Sequence, residues 1–217
     1  MSRFLNEREA ECLLSEYGIP MAKSQVAMCP KEAESIAKDM EFPVVMKILS
    51  ADIPHKTEAG CVFLKVEEGQ VGDTFEKISQ NASVYAPEAV IDGVLIQETA
   101  RNGLEVIVGM KRDPQFGPVL MVGLGGIYVE VMKDISLRLL PVTREEARRM
   151  LRETKLYQMI AGARGKQYDE EALVDTLLKV SKMVLDRPSI EALDMNPLFL
   201  YEVGEGVKGV DALIQIT

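Results

Sequence analysis

The segment "LEVIVGMKRDPQFGPVLMVGLGGIYVEVMKDISLRLLPV", residues 104–142, breaks into short apolar runs separated by Gly, Pro and Asp. The runs 104–110, 117–123, 127–132 and 136–142 predict four successive strands, a meander that suits an antiparallel sheet. No helical period separates them, so strict βαβ alternation is absent and an α+β class is favoured over a doubly wound sheet.

The rest of the chain alternates helices and strands around that meander. Asn6 with Glu9 predicts a capping box. Ala10, Leu13, Leu14 and Tyr17 then recur at helical spacing until Gly18-Ile19-Pro20 stops the helix. Ala33, Ile36, Ala37 and Met40 predict a second amphipathic helix, ended by Pro43. "VVMKIL" (44–49) reads as a buried strand, and "CVFLKV" (61–66) as the return limb of a hairpin-like flap. Asp73 and Glu76 are expected to cap a third helix carrying Phe75 and Ile78. "GVLIQET" (93–99) predicts a strand running into a loop. Thr143 and Glu146 are expected to cap a helix, and 169–185 to form a longer one with Leu173, Leu177, Val180 and Val184 on one face. "IEALDMNPLFL" (190–200) and "GVKGVDALIQI" (206–216) predict two closing strands. No linker marks a boundary; a division into 1–95 and 96–217 is expected.

Composition removes several classes of function. A formal net charge of −9 argues against holding nucleic acid by general electrostatics. The longest apolar runs fall far short of the ~20 residues that span a bilayer, and "MSRFLNEREAECLL" lacks a signal-peptide core. A soluble, cytoplasmic chain is expected, with no nucleic-acid or membrane partner. Cys12, Cys29 and Cys61 fit neither a zinc pattern nor a disulfide framework and read as reduced thiols.

Four features carry chemistry. His55, in "IPHKTEAGC", is the single histidine of the chain; it marks either a turn or a reactive imidazole. Lys47 lies inside a buried strand, on the face shared with Val45 and Leu49. An ammonium there must find an anion or reach the surface: it snorkels, forms a structural ion pair, or points into a cleft to hold phosphate. Gln97-Glu98 ends a strand, where backbone groups could pair with a base, although plain turns occupy many such places. Asp194 and Asn196 alternate to one strand face and Asp211 lies in the last strand. Either Asn196-Pro197 is a turn, or these oxygens suit Mg²⁺, which completes its octahedron with phosphates and waters. "GLGGIYVE" (123–130) lacks dinucleotide-fingerprint spacing, and there is no Gly-Lys-Ser/Thr phosphate loop. A nucleotide site here belongs to another architecture.

Together, Lys47, the His55–Thr57 loop, Gln97-Glu98, Glu105, "MKRDPQFGPVLMVGLGGIYVEVMKD" (110–134), "SLRLLPVT", "LDMNPL" and "VDALI" resemble one family. It is the ATP-grasp subunit, called β, of the ADP-forming acetyl-CoA synthetases. The chain is similar, more distantly, to the β subunit of succinyl-CoA synthetase. The resemblance runs from "YGIP" to the last strand.

The resemblance implies an ATP-grasp fold: two α+β subdomains enclosing a nucleotide cleft, the first with the HKT loop and the second with the metal ligands. It implies that Lys47 contacts ATP phosphates. Gln97, Glu98 and Thr99 would form the adenine hinge, and Glu105 would lie near the ribose. Asn196 and Asp211 would ligate Mg²⁺, and His55 would carry a phosphoryl group. Asp134 and Arg138 match a "D…R" block of undefined role. The implied activity is ligation of acetate or another acid to CoA, run as acyl-CoA + ADP + phosphate ⇌ acid + CoA + ATP. It would need a CoA-binding α subunit in an α₂β₂ assembly, and the chain alone would be inactive. Alternatives are a succinyl-CoA synthetase-like or other ATP-grasp carboxylate ligase, and a non-catalytic nucleotide-sensing module. One departure stands out: the family has two glycines where this chain has Gly60-Cys61. A positive φ at the second position would strain Cys61.

Overall fold

The computed structural model describes residues 2–126, 134–163 and 165–217. The expected strand 127–132 lies outside the described residues. Two compact units emerge. One comprises residues 4–9 and 22–101; the other comprises 1–3, 10–21 and 102–217. The expected division at 95/96 falls inside a strand, Gly93–Glu98, whereas the units change over at 101/102.

The first unit holds a four-stranded sheet. Its strands are β2 (Ser24–Ala27), β3 (Val44–Leu49), β4 (Val62–Val66) and β5 (Gly93–Glu98), in the order β2-β5-β3-β4. Every pairing is antiparallel, and β3 with β4 forms the expected hairpin. Helices α2 (Pro30–Asp39) and α3 (Val71–Tyr85) belong to the same unit. The alternating residues Val44, Met46 and Ile48 join Ala33, Ile36, Phe75 and Ile78 in one core. The opposite face of β3 carries Val45, Lys47 and Leu49, and these too are buried. Burying each large apolar side chain contributes about 1.5–3 kcal/mol; Lys47 gains nothing of the kind and must find a counter-charge.

The expected cap of α3 at Asp73 is not found. A capping box closes a short 3₁₀ turn instead, between Glu67 and Gln70, and α3 follows directly, with Asp73 inside its first turn.

The second unit is built on a seven-stranded sheet. Strands β6 (Leu104–Asp113), β7 (Gly117–Leu124) and β8 (Ile135–Leu139) are followed by β9 (Ile190–Leu200), β10 (Val207–Gly209) and β11 (Leu213–Ile216). With β1 (Arg3–Phe4) the order is β1-β11-β9-β6-β7-β8, and β10 also pairs with β9. The pairings of β6 to β11 are antiparallel. Thr143 and Glu146 cap α4 (Arg144–Arg152) as expected. A short helix, α5 (Leu156–Ile160), was not expected. Helix α6 (Glu170–Asp186) buries Leu173, Leu177, Val180 and Val184. The first helix, α1 (Glu7–Glu16), carries its capping box in two bonds of 2.9 Å each between Asn6 and Glu9.

Two expectations about the last strands change. Residues 206–216 do not form one strand; pairing breaks after Gly209, and Asp211 lies in the gap before β11. Asn196-Pro197 is not a turn either, because β9 runs through it to Leu200.

Candidate functional site

The candidate residues form two groups, one in each unit. In the first unit Lys47 is 6% exposed and donates to Glu7 Oε1 at 2.7 Å. Glu7, the first residue of α1, is 2% exposed. Its second oxygen, Oε2, faces Lys56 Nζ at 2.8 Å and accepts no aligned hydrogen bond. Of the readings left open for Lys47, the ion pair is present. Sequence reasoning missed its partner, because Glu7 is separated from Lys47 by 40 positions.

Lys56 is buried, while its neighbour His55 is exposed. The loop around them is knit by its own backbone. His55 O accepts from Ala59 N–H at 3.2 Å, Thr57 O from Gly60 at 3.0 Å and Lys56 O from Cys61 at 2.9 Å. Ile53 and Cys61, both fully buried, anchor its two ends. Asn81 donates to Gly60 O at 2.6 Å. The left-handed residue is Gly60, with φ 64°, and Cys61 takes no such conformation. The expected strain at Cys61 is therefore absent. Burial pushes the Cys61 thiol pKa up, so the thiol is a packing group and a poor nucleophile.

At the end of β5, Gln97 is buried. Glu98 accepts from Lys23 N–H at 3.0 Å, and the Thr99 hydroxyl donates to Pro43 O at 2.5 Å. The Glu98 and Thr99 side chains thus brace the chain's own backbone.

In the second unit, Glu105, Gly126 and Asn196 come together. Gly126 N–H donates to Asn196 Oδ1 at 3.0 Å. A Cβ on Gly126 would stand 1.8 Å from Glu105 Oε2, and its φ is +63°. The left-handed φ favours glycine there, and a Cβ would force the Glu105 carboxylate to move. Asp194, two residues before Asn196, is exposed on β9, yet its carboxyl pKa is raised, first by the protein around it and then by the charge of Asp211. A carboxylate pair under mutual repulsion, beside an amide oxygen, is a donor set that a hard divalent cation would relieve. Among the described residues no three His, Cys, Asp or Glu side chains gather into a metal cluster. The set therefore fits a cation that draws further ligands from phosphate and water.

The "D…R" block has a structural account. Asp134 accepts from the backbone N–H groups of Lys155 at 2.8 Å and Leu156 at 3.0 Å, capping α5. Arg138 pairs with Glu153, and that contact, with a hydrogen bond from Ser136, holds the Glu153 carboxyl below its ordinary pKa.

No helix among the described residues is long and apolar enough to cross a membrane. A family model described as an ATP-grasp domain matches residues 1–216. The chain is 46% identical to the acetate–CoA ligase (ADP-forming) I subunit beta of Pyrococcus furiosus, over 97% of this chain and 91% of that protein. It is also 46% identical to acetate–CoA ligase (ADP-forming) I of Archaeoglobus fulgidus, over 90% of this chain, but spans only 29% of that protein. Among solved structures it resembles the dinucleotide-forming acetyl-coenzyme A synthetase 1 of Ca. Korarchaeum cryptofilum, described as a complex with coenzyme A and Mg-AMPPCP whose phosphohistidine segment points towards the nucleotide-binding site. The TM-score is 0.84 at 35% identity, covering 99% of this chain and 93% of that one. The chain belongs to the ATP-grasp domain family, alongside the beta subunits of ADP-forming acetate–CoA ligases.

Proposed function

We propose that the chain is the nucleotide-binding subunit of an ADP-forming acyl-CoA ligase. It would act with a CoA-binding partner, in an α₂β₂ assembly, on acyl-CoA, ADP and phosphate to give acid, CoA and ATP. The observation that carries this reading is His55, exposed on a braced loop whose next residue is buried against the same carboxylate as Lys47. A cytoplasmic setting suits a reaction that draws on ADP and CoA.

In this reading the partner cleaves acyl-CoA with phosphate and hands the phosphoryl group to His55. An oxygen of the ADP β-phosphate then attacks phosphorus, and the N–P bond breaks with its electron pair returning to the ring. A proton on the other ring nitrogen makes the departing imidazole neutral, which suits transfer near pH 7. Lys47 offers a point charge to the phosphates. Backbone groups at Gln97–Thr99 would meet the base, since the Glu98 and Thr99 side chains already hold Lys23 and Pro43. Glu105 would lie near the ribose. Asn196 and Asp211, with Asp194 beside them, would hold Mg²⁺, which neutralises phosphate charge when bound.

The test is reconstitution. The chain plus a CoA-binding partner should form ATP from acetyl-CoA, ADP and phosphate. Lys47→Met should weaken ADP binding by calorimetry at least tenfold. A His55→Ala complex with full turnover would contradict the reading.

A further inference from the structure

Three charges share one buried site in the first unit: Glu7 Oε1 lies 2.7 Å from Lys47 and Oε2 lies 2.8 Å from Lys56. Their side chains are 1%, 7% and 8% exposed. One carboxylate thus joins two lysines at a place where water screens little. Buried charges hold their geometry tightly, because any displacement leaves one of them unpaired in a poor dielectric.

The contact with Lys56 has a consequence for the loop. Lys56 directly follows His55, and its own carbonyl accepts the Cys61 N–H that closes the loop. Fixing the Lys56 side chain therefore fixes the base from which the exposed imidazole projects. The contact with Lys47 fixes the strand lysine through the same carboxylate.

We propose that Glu7 is a positioning residue, a clamp that holds the base of the His55 loop in register with the Lys47 ammonium. The proposal rests on the reading of His55 as a phosphoryl carrier. Glu7 touches neither nucleotide nor phosphorus; it acts through the two lysines. A geometric error of about 1 Å at a reacting group can cost on the order of 100-fold in rate, so loss of the clamp should show in phosphoryl transfer more than in nucleotide affinity.

The experiment uses the full chain with [γ-³²P]ATP and Mg²⁺, reading the rate of acid-labile label on His55 and, separately, the Kd for ADP by calorimetry. Glu7→Gln, Lys56→Gln and the double variant are compared with the wild type. The double variant removes one anion and one cation together, so its net charge equals that of the wild type. Because each change breaks the same tether, all three should slow labelling by a similar factor, about tenfold or more. The double variant should be no slower than the slower single one, with its ADP Kd within about threefold of wild type.

Single-variant effects that multiply in the double variant would overturn the clamp, as would labelling of the double variant at the wild-type rate. Absence of label on wild-type His55 with ATP bound would overturn the carrier reading and the clamp with it. Label on the wild type with unchanged variants would overturn the clamp alone. Should Glu7→Gln fail to fold, Lys56→Gln retains the contact between Lys47 and Glu7. It must then slow labelling tenfold at unchanged Kd, and a wild-type rate would refute the clamp.

Discussion

Gly126 meets two demands at once: a left-handed φ of +63° and a bare Cα against the Glu105 carboxylate. A left-handed non-glycine residue costs about 1–2 kcal/mol. The clash falls on the end of an exposed, flexible side chain, so Glu105 must swing away. Gly126→Ala should therefore lower Tm by roughly 2–8 °C at this chain length and disturb the Asn196 hydrogen bond. Thermal melts and ADP calorimetry would check both. Cys61 gives a second expectation. Its raised pKa leaves less thiolate at any given pH, and it is buried, whereas Cys12 and Cys29 are exposed. At pH 8 a thiol reagent should modify Cys12 and Cys29 rapidly and Cys61 only on unfolding, as mass spectrometry would show. At this scale the sequence was legible where one residue had one job. His55 lies in a loop, as read, and the structure adds that it is exposed there. Glu7 was not legible, because a surface-type residue at a helix start shows nothing of a lysine 40 positions away.

Among the elements, capping explains what reading along the chain could and could not find. The Thr143 box was visible because donor and acceptor lie three residues apart. The cap of α5 comes from Asp134, 21 and 22 positions before the groups it accepts from, and a helix of five residues has too little periodicity to announce itself. Asp134→Ala leaves two backbone donors without that acceptor and should destabilise the unit by about 1–3 kcal/mol. Faster amide exchange at Lys155 and Leu156 would report it; unchanged exchange there would remove Asp134 from the cap. Within the described residues, β6, β7 and β8 were readable as short apolar runs, with Asp113, Pro114 and Gly117 marking the turn between the first two. The break at Asp211 was not, since Gly209-Val210-Asp211-Ala212 keeps strand-like alternation while the ladder to β9 is interrupted between Val210 and Leu213.

For the whole molecule, the α+β class and the antiparallel sheets were written in the order of apolar runs, while the unit boundary was not, because no linker marks 101/102. The candidate site was read as residue types at family spacing. Its internal geometry required the fold, which joins Glu7 to Lys47 and Lys56, and Gly126 to Asn196 and Glu105. The central claim is that this chain carries a phosphoryl group on His55 between a partner and ADP. The most direct measurement incubates the chain with [γ-³²P]ATP and Mg²⁺, then maps acid-labile phosphate by mass spectrometry. Label on His55, lost in His55→Ala and discharged to ATP on adding ADP, is the expected result. ATP bound with no label on His55, or label on another residue that survives His55→Ala, would contradict it.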